Sequence, residues 1–172
     1  MKHTSNAPKR RIRMLPAAAL MALLFFPVGA PQAKAAAFDA HYTSASLQAQ
    51  EQEAGNLLNN DRGRYNLPAL AIDPELSRIA RIKSQDMLEH GYFAHTSPAY
   101  GDVRAMLTRF GYSYTSASEN IARHSTIEKA QAAFLSSPAH RRNVLSTAYT
   151  KVGIGVAVAP AGYVYVTQIF CR

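Results

Sequence analysis

KVGIGVAVAPAGYVYVTQIF, residues 151–170, decides the fold. The run alternates with a period of two and breaks once, at Ala-Pro-Ala-Gly (159–162), which reads as the turn of a β-hairpin. In its first half, Val152, Ile154, Val156 and Val158 share one face, while Gly153, Gly155, Ala157 and Ala159 share the other. Neither face is polar. A strand that is apolar or small on both sides is covered on both sides. Helices on both faces of a sheet give a three-layer α-β-α sandwich, within the α+β class.

The helices that would cover the sheet lie upstream. EQEAGNLLNNDRGRY (51–65) predicts a first helix with Ala54, Leu57, Leu58 and Tyr65 turned inward, stopping before Pro68. Asp73-Pro74 opens a second: aspartate caps, and proline fits the first turn. Leu76, Ile79, Ala80, Ser84, Met87 and Leu88 form its inner face, and Gly91 ends it. Ala80 and Ser84 are small, so another element is expected to pack closely there. DVRAMLTRFG (102–111) predicts a short third helix capped by Asp102. SENIARH (118–124) reads as a short helix or a strand. Ser125-Thr126-Ile127-Glu128 reads as a capping box for a helix burying Ile127, Ala130 and Phe134.

The formal charge of +8 suggests an acidic partner, but its distribution does not. Six of the 19 cations fall in the first 35 residues, which contain no acid, so 13 cations face 11 acids elsewhere, a net of about +2. A nucleic-acid partner is not expected, since such proteins concentrate basic residues on one footprint. The leader reads as a signal peptide over 1–35. Lys9 to Arg13 form its basic start, MLPAAALMALLFFPVGA (14–30) its apolar stretch, and Ala33-Lys34-Ala35 its small-x-small cleavage site. The chain is therefore expected to be exported, secreted or periplasmic, with no permanent membrane anchor after cleavage. Residues 36–49 read as a mobile arm, and 50–172 as the domain. The single cysteine, Cys171, excludes an internal disulfide. It reads as a small apolar residue finishing a strand, with a dimer through an intermolecular disulfide as the alternative.

Several catalytic patterns are absent: HExxH, paired cysteine ligands, GxSxG and a phosphate-binding glycine loop. What remains is FAHTSP around His95, SENIA around Glu119 and SSPAHRRNVL around His140. Two imidazoles and a carboxylate could hold a divalent metal with one position open to water, or divide the work of acid, base and orienting group. Spacing alone does not choose between these and a structural role.

The segments LLNNDRGRYNLPAL, SRIARIKSQDM, GYFAHTSP, GYSYTSASENIA, FLSSPAHRRNVLS, VGIGVAV and YVTQIF, taken in order, resemble the CAP superfamily, also called the SCP domain, in its bacterial form. The superfamily includes cysteine-rich secretory proteins, antigen 5 and plant pathogenesis-related proteins. The resemblance runs from about Glu51 to Phe170, and agrees with the sandwich read from the strands. It implies an exposed cleft with a His-Glu-Glu-His tetrad. His95, Glu119 and His140 match three of its members, and Ser137 stands where the second glutamate would be. Phe134 stands where the family usually has tryptophan. Ser118 and Ala139 replace glycines, which would strain the backbone if those positions needed a glycine-only angle.

The resemblance implies a non-enzymatic module that binds a small hydrophobic ligand, a cell-envelope component or a protein. A weakly held divalent cation such as zinc on His95, Glu119 and His140 is part of that expectation. The alternative is a metal-dependent hydrolase of peptide or cell-envelope substrates with Glu119 as general base. Local geometry adds detail. Ser137 and Pro138 read as the start of a helix with the Ser137 hydroxyl committed to its free amides, and the positive helix end should favour neutral His140. Asn120 and Asn143 read as structural amides. Arg141 and Arg142 read either as cleft residues meeting an anionic group or as a solvated face. His41, His90 and His124 carry no motif.

Overall fold

The computed structural model describes residues 45–172, with side chains from Gln48 onward. The leader, residues 36–44 of the expected arm, and His41 lie outside the described residues. Helix α1 spans Ala45–Arg64, β1 Ala71–Ile72, α2 Pro74–Glu89, α3 Val103–Arg109 and β2 Ala117–His124. Then follow α4 (Ile127–Ser136), α5 (Pro138–Val144), β3 (Lys151–Val158) and β4 (Val164–Cys171). Helix α1 thus begins within the stretch expected to be an arm. Ala, Leu and Gln extend a helix on propensity without an apolar stripe, which is what the periodic pattern detects.

The strands form one sheet in the order β1-β3-β4-β2. β1 runs parallel to β3, and the other two pairings are antiparallel. The 159–162 hairpin therefore lies at the centre of the sheet, with β2 at one edge. One face packs Val152, Ile154, Val156, Val166 and Phe170 against Leu58 of α1 and Phe134 of α4. The other packs Ile169 and Cys171 against Leu76, Ile79 and Ala80 of α2 and Met106 and Leu107 of α3. This is an α+β, three-layer arrangement.

The close packing expected at Ala80 is explained by the glycine face of β3. A methyl group on Gly153 would run into the backbone of Leu76, and one on Gly155 into the backbone of Ala80 and Arg81. Ser84, at the next turn, donates to Gly155 O (2.9 Å) and pairs with the Thr167 hydroxyl (2.8 Å). Asp73 caps α2 through the Glu75 and Leu76 amides, and Asp102 caps α3 through Ala105.

Two local expectations are corrected, and one open reading is resolved. Tyr65 is 46% exposed, because α1 ends at Arg64 and the chain leaves the core through the left-handed Asn66 (φ 56°). The cap of α4 is Thr126, which accepts from Lys129, so the Ser125–Glu128 box is one residue out of register. SENIARH is strand throughout, paired with β4 over its whole length. Ser118 and Ala139 take ordinary backbone angles, since Asn66 is the only non-glycine with positive φ among the described residues. Cys171 finishes β4, free and 1% exposed. Burial raises its thiol to about 11, away from the reactive thiolate.

Candidate functional site

The site lies over the free edge of β2. Residues paired across antiparallel strands share a face, so the pairing Glu119↔Ile169 turns Glu119 toward the α2 layer. The next residue, Asn120, pairs with Gln168 and turns toward the α4 layer. The 92–97 loop comes from the first layer, carrying His95. Helix α5 comes from the second, carrying His140. Their rings meet with centroids 6.4 Å apart.

Glu119 is buried behind His95. Its side chain is 3% exposed, against 56% for that of His95, and His95 Nδ1 donates to Glu119 Oε1 at 2.8 Å. In the neutral ring that bond fixes the tautomer, with the proton on Nδ1 and the other nitrogen as acceptor. The second oxygen, Glu119 Oε2, is buried without a hydrogen-bond partner among the described residues. Opposite, the edge of Phe134 packs on His140, centroids 5.5 Å apart. Burial, then the neighbouring His95, hold the His140 imidazole below its ordinary value. The direction agrees with the sequence expectation, with burial the larger cause and the neighbouring His95 the smaller.

The two asparagines bind the layers beneath. Asn120 donates to His140 O and to Gln168 Oε1, both at 3.1 Å, and accepts from Asn143 Nδ2 at 2.8 Å. Gln168 continues to Gln131 Oε1 (2.8 Å), and Gln131 to Asp61 Oδ2 of α1 (2.8 Å). This buried chain of amides spans the α4 layer, and each link satisfies groups that would otherwise be stranded. Ser137 departs from expectation. It stands at the N-cap of α5 with Pro138 following, but its hydroxyl makes no cap bond. Its backbone makes the joint instead: the N–H closes α4 on Ala133 O, and the carbonyl accepts from Arg141. Arg141 lies over the Tyr65 ring at 4.6 Å, while Arg142 is exposed. His90 Nδ1 sits 2.9 Å from Asp86 Oδ1, and His124 accepts from the Ser125 amide.

Residues that sequence reading passed over stand directly behind His95. Lys83 is fully buried on α2, and its ammonium donates to Ala94 O (2.8 Å) and His95 O (3.0 Å). Burial lowers the lysine, and the carboxylates of Glu119 and Asp86 pull it back up. Asp86 accepts from Ser97 Oγ at 2.6 Å and from the Tyr92 hydroxyl. The sequence did carry a signal: Lys83 follows Ile79 by four and Ala80 by three, inside the apolar stripe.

A three-donor metal centre does not fit these residues as placed. Among the described residues, no group of three His, Cys, Asp or Glu side chains is disposed to hold an ion. Glu119 is turned to His95 Nδ1, so it stands behind a ligating imidazole rather than beside one. The donor set facing solvent is two imidazoles. A separate hollow of about 370 Å³ lies at the β1 edge, lined by Gln52, Asn56, Ile72 and Ile154 among others. Glu51 beside it is paired with Arg81, so the hollow offers no free charge there.

Comparisons with known proteins agree with the fold. A sequence profile described as the cysteine-rich secretory protein family matches residues 56–170. The uncharacterized protein YkwD of Bacillus subtilis is 42% identical over 112 residues, 64% of this chain and 44% of that protein. The uncharacterized membrane protein YlbC of the same organism is 33% identical over 108 residues, 62% of this chain and 31% of that protein. The chain thus covers less than half of either relative. An extracellular protein containing an SCP domain from Bacillus anthracis superposes with a TM-score of 0.68 at 36% identity, over 73% of this chain and 41% of that one. An outer surface protein of Borrelia burgdorferi gives 0.67 at 18% identity, over 72% of this chain and 92% of that one, and shows the fold alone. Among the described residues, no helix is long and apolar enough to cross a membrane.

Proposed function

The chain belongs to the cysteine-rich secretory protein (CAP) family, and from that premise we propose that it works outside the cytoplasm as a binding module with its cleft at His95, Glu119 and His140. The observation that carries the reading is the 2.8 Å bond from His95 to a buried carboxylate, with His140 facing it from the other layer. A solvent-facing histidine held by a buried glutamate is pre-organised, which lowers the ordering cost of binding. The His140 imidazole, held below its ordinary value, can meet a ligand uncharged, so the cleft suits polar groups of a cell-envelope component, a lipid or a protein. Export is supported by the leader and by likeness to an extracellular SCP protein.

The test is recovery of the occupant. Protein expressed with its leader is purified from the extracytoplasmic fraction, and co-purifying molecules are identified by mass spectrometry. A species held by the wild type and lost from His95→Ala/His140→Ala supports the reading. A species held equally by both places binding elsewhere.

One observation favours a second reading, hydrolysis. A carboxylate that orients an imidazole is the arrangement that prepares a general base. In that case His95 takes the proton and Glu119 is the orienting group, not the base expected from sequence. Peptide, peptidoglycan and lipid substrates, each with zinc and with chelator, separate the readings: turnover abolished by Glu119→Gln establishes the hydrolase.

A further inference from the structure

We propose that Lys83 and Asp86 are positioning residues that fix the 92–97 loop and, through it, the place of His95. The proposal rests on the reading of His95 as a cleft residue. The two side chains stand one turn apart on α2, 0% and 1% exposed, and between them they hold the loop's polar atoms. Lys83 grips the carbonyls of Ala94 and His95, and reaches the Tyr92 hydroxyl at 3.3 Å. Asp86 grips that same hydroxyl and Ser97 Oγ. Ser97 Oγ in turn accepts from the Ala99 and Tyr100 amides (3.0 and 2.9 Å), which closes the far end of the loop. His95 therefore hangs from a backbone anchored on both sides, and its ring meets Glu119 from a fixed origin.

Stability alone does not account for this pair. Burying opposite charges in a core is no better than filling the space with apolar side chains, and is frequently worse. What the charges add is direction: their hydrogen bonds are satisfied by one loop arrangement and broken in others. The arrangement they select is the one that brings His95 within hydrogen-bond distance of Glu119.

The experiment reads the His95 ring in the free ¹⁵N-labelled protein at constant neutral pH, from long-range imidazole ¹⁵N–¹H spectra and the Nδ1 proton. The wild type should show a single Nδ1–H tautomer with a protected proton. Lys83→Met should lose both features at His95 while the sheet amides and the His140 pattern persist. Val156→Ala, a core change on the opposite face of the sheet, should lower stability and leave the His95 pattern intact. An unchanged His95 in folded Lys83→Met overturns the proposal, as does equal loss in Val156→Ala. Should Lys83→Met not fold, Tyr92→Phe, which deletes only the shared hydroxyl, must weaken the same signal, and an unchanged signal there overturns it. Because no ligand is needed, a cleft that binds nothing would refute the function reading without touching this result.

Discussion

Glu119 and Asn120 are neighbours on β2 that serve opposite layers of the sandwich. Glu119 receives the His95 ring from the α2 side, and Asn120 holds the His140 carbonyl from the α4 side. The pleat of one edge strand thereby brings together two histidines that arrive from different helical layers. The site is a property of the sheet edge, and its geometry depends on the register of β2 against β4.

Asn120→Ala should be costly. It removes the donor to His140 O and to Gln168 Oε1, and the acceptor of Asn143 Nδ2. Stranding these buried groups should lower unfolding free energy by roughly 2–4 kcal/mol in urea denaturation. A loss under about 0.5 kcal/mol would show that the amide chain does not hold the layers together.

Gly155→Ala should destabilise at or above the upper end of the ~1–3 kcal/mol typical of overpacking, because the obstacle is helix backbone rather than a side chain that can turn away. Denaturant midpoints measure it. A near-neutral result would mean that α2 does not lie against the glycine face.

The two kinds of helix cap should separate. Asp73→Ala removes an acceptor used by two amides and should cost about 1 kcal/mol. Ser137→Ala removes a hydroxyl with no cap bond and should cost well under that, about 0.3 kcal/mol or less. Equal losses would return the Ser137 hydroxyl to the capping role assigned from sequence.

The pH dependence follows from His140. Its folded value lies below the ordinary 6.5, so the unfolded chain binds the extra proton first. The contribution is complete above the unfolded value and is lost as pH falls through the folded one. Asp73, which burial alone would raise, is held low by the Leu76 amide, Tyr112 and Lys151, so its contribution is lost in a separate, more acidic window below 3.8. Stability measured from pH 8 to pH 5 should decline in the wild type and decline less in His140→Gln. Identical slopes would contradict the assignment.

Much of this was legible in the sequence, for reasons specific to each part. The alternation of residues 152–158 requires cover on both sides, and Ala80 and Ser84 signal the close approach that the glycine face permits. Asp73-Pro74 states its own cap. The three cleft motifs could be named but not assembled, because their meeting depends on the pleat of β2. Lys83 and Asp86 were readable as charges on a buried stripe, but their partners lie in a loop whose path no periodicity describes. The Asn120–Gln168–Gln131–Asp61 chain was not readable: each member is an ordinary polar residue, and Gln131 meets Asp61 across 70 positions. Ser137 misled because Ser-Pro is a sound local start signal, while the residue is at once the C-cap of one helix and the N-cap of the next and makes both bonds through its backbone.

The most direct test of the binding cleft is an NMR titration of the His95 and His140 imidazoles with peptidoglycan fragments, peptides and phospholipid vesicles, recovering each probe afterwards for mass spectrometry. The account predicts that at least one probe shifts both rings, that the probe is recovered intact, and that the shift of the remaining ring is lost in His95→Ala. Rings unmoved by every probe, or a probe recovered cleaved, would contradict it.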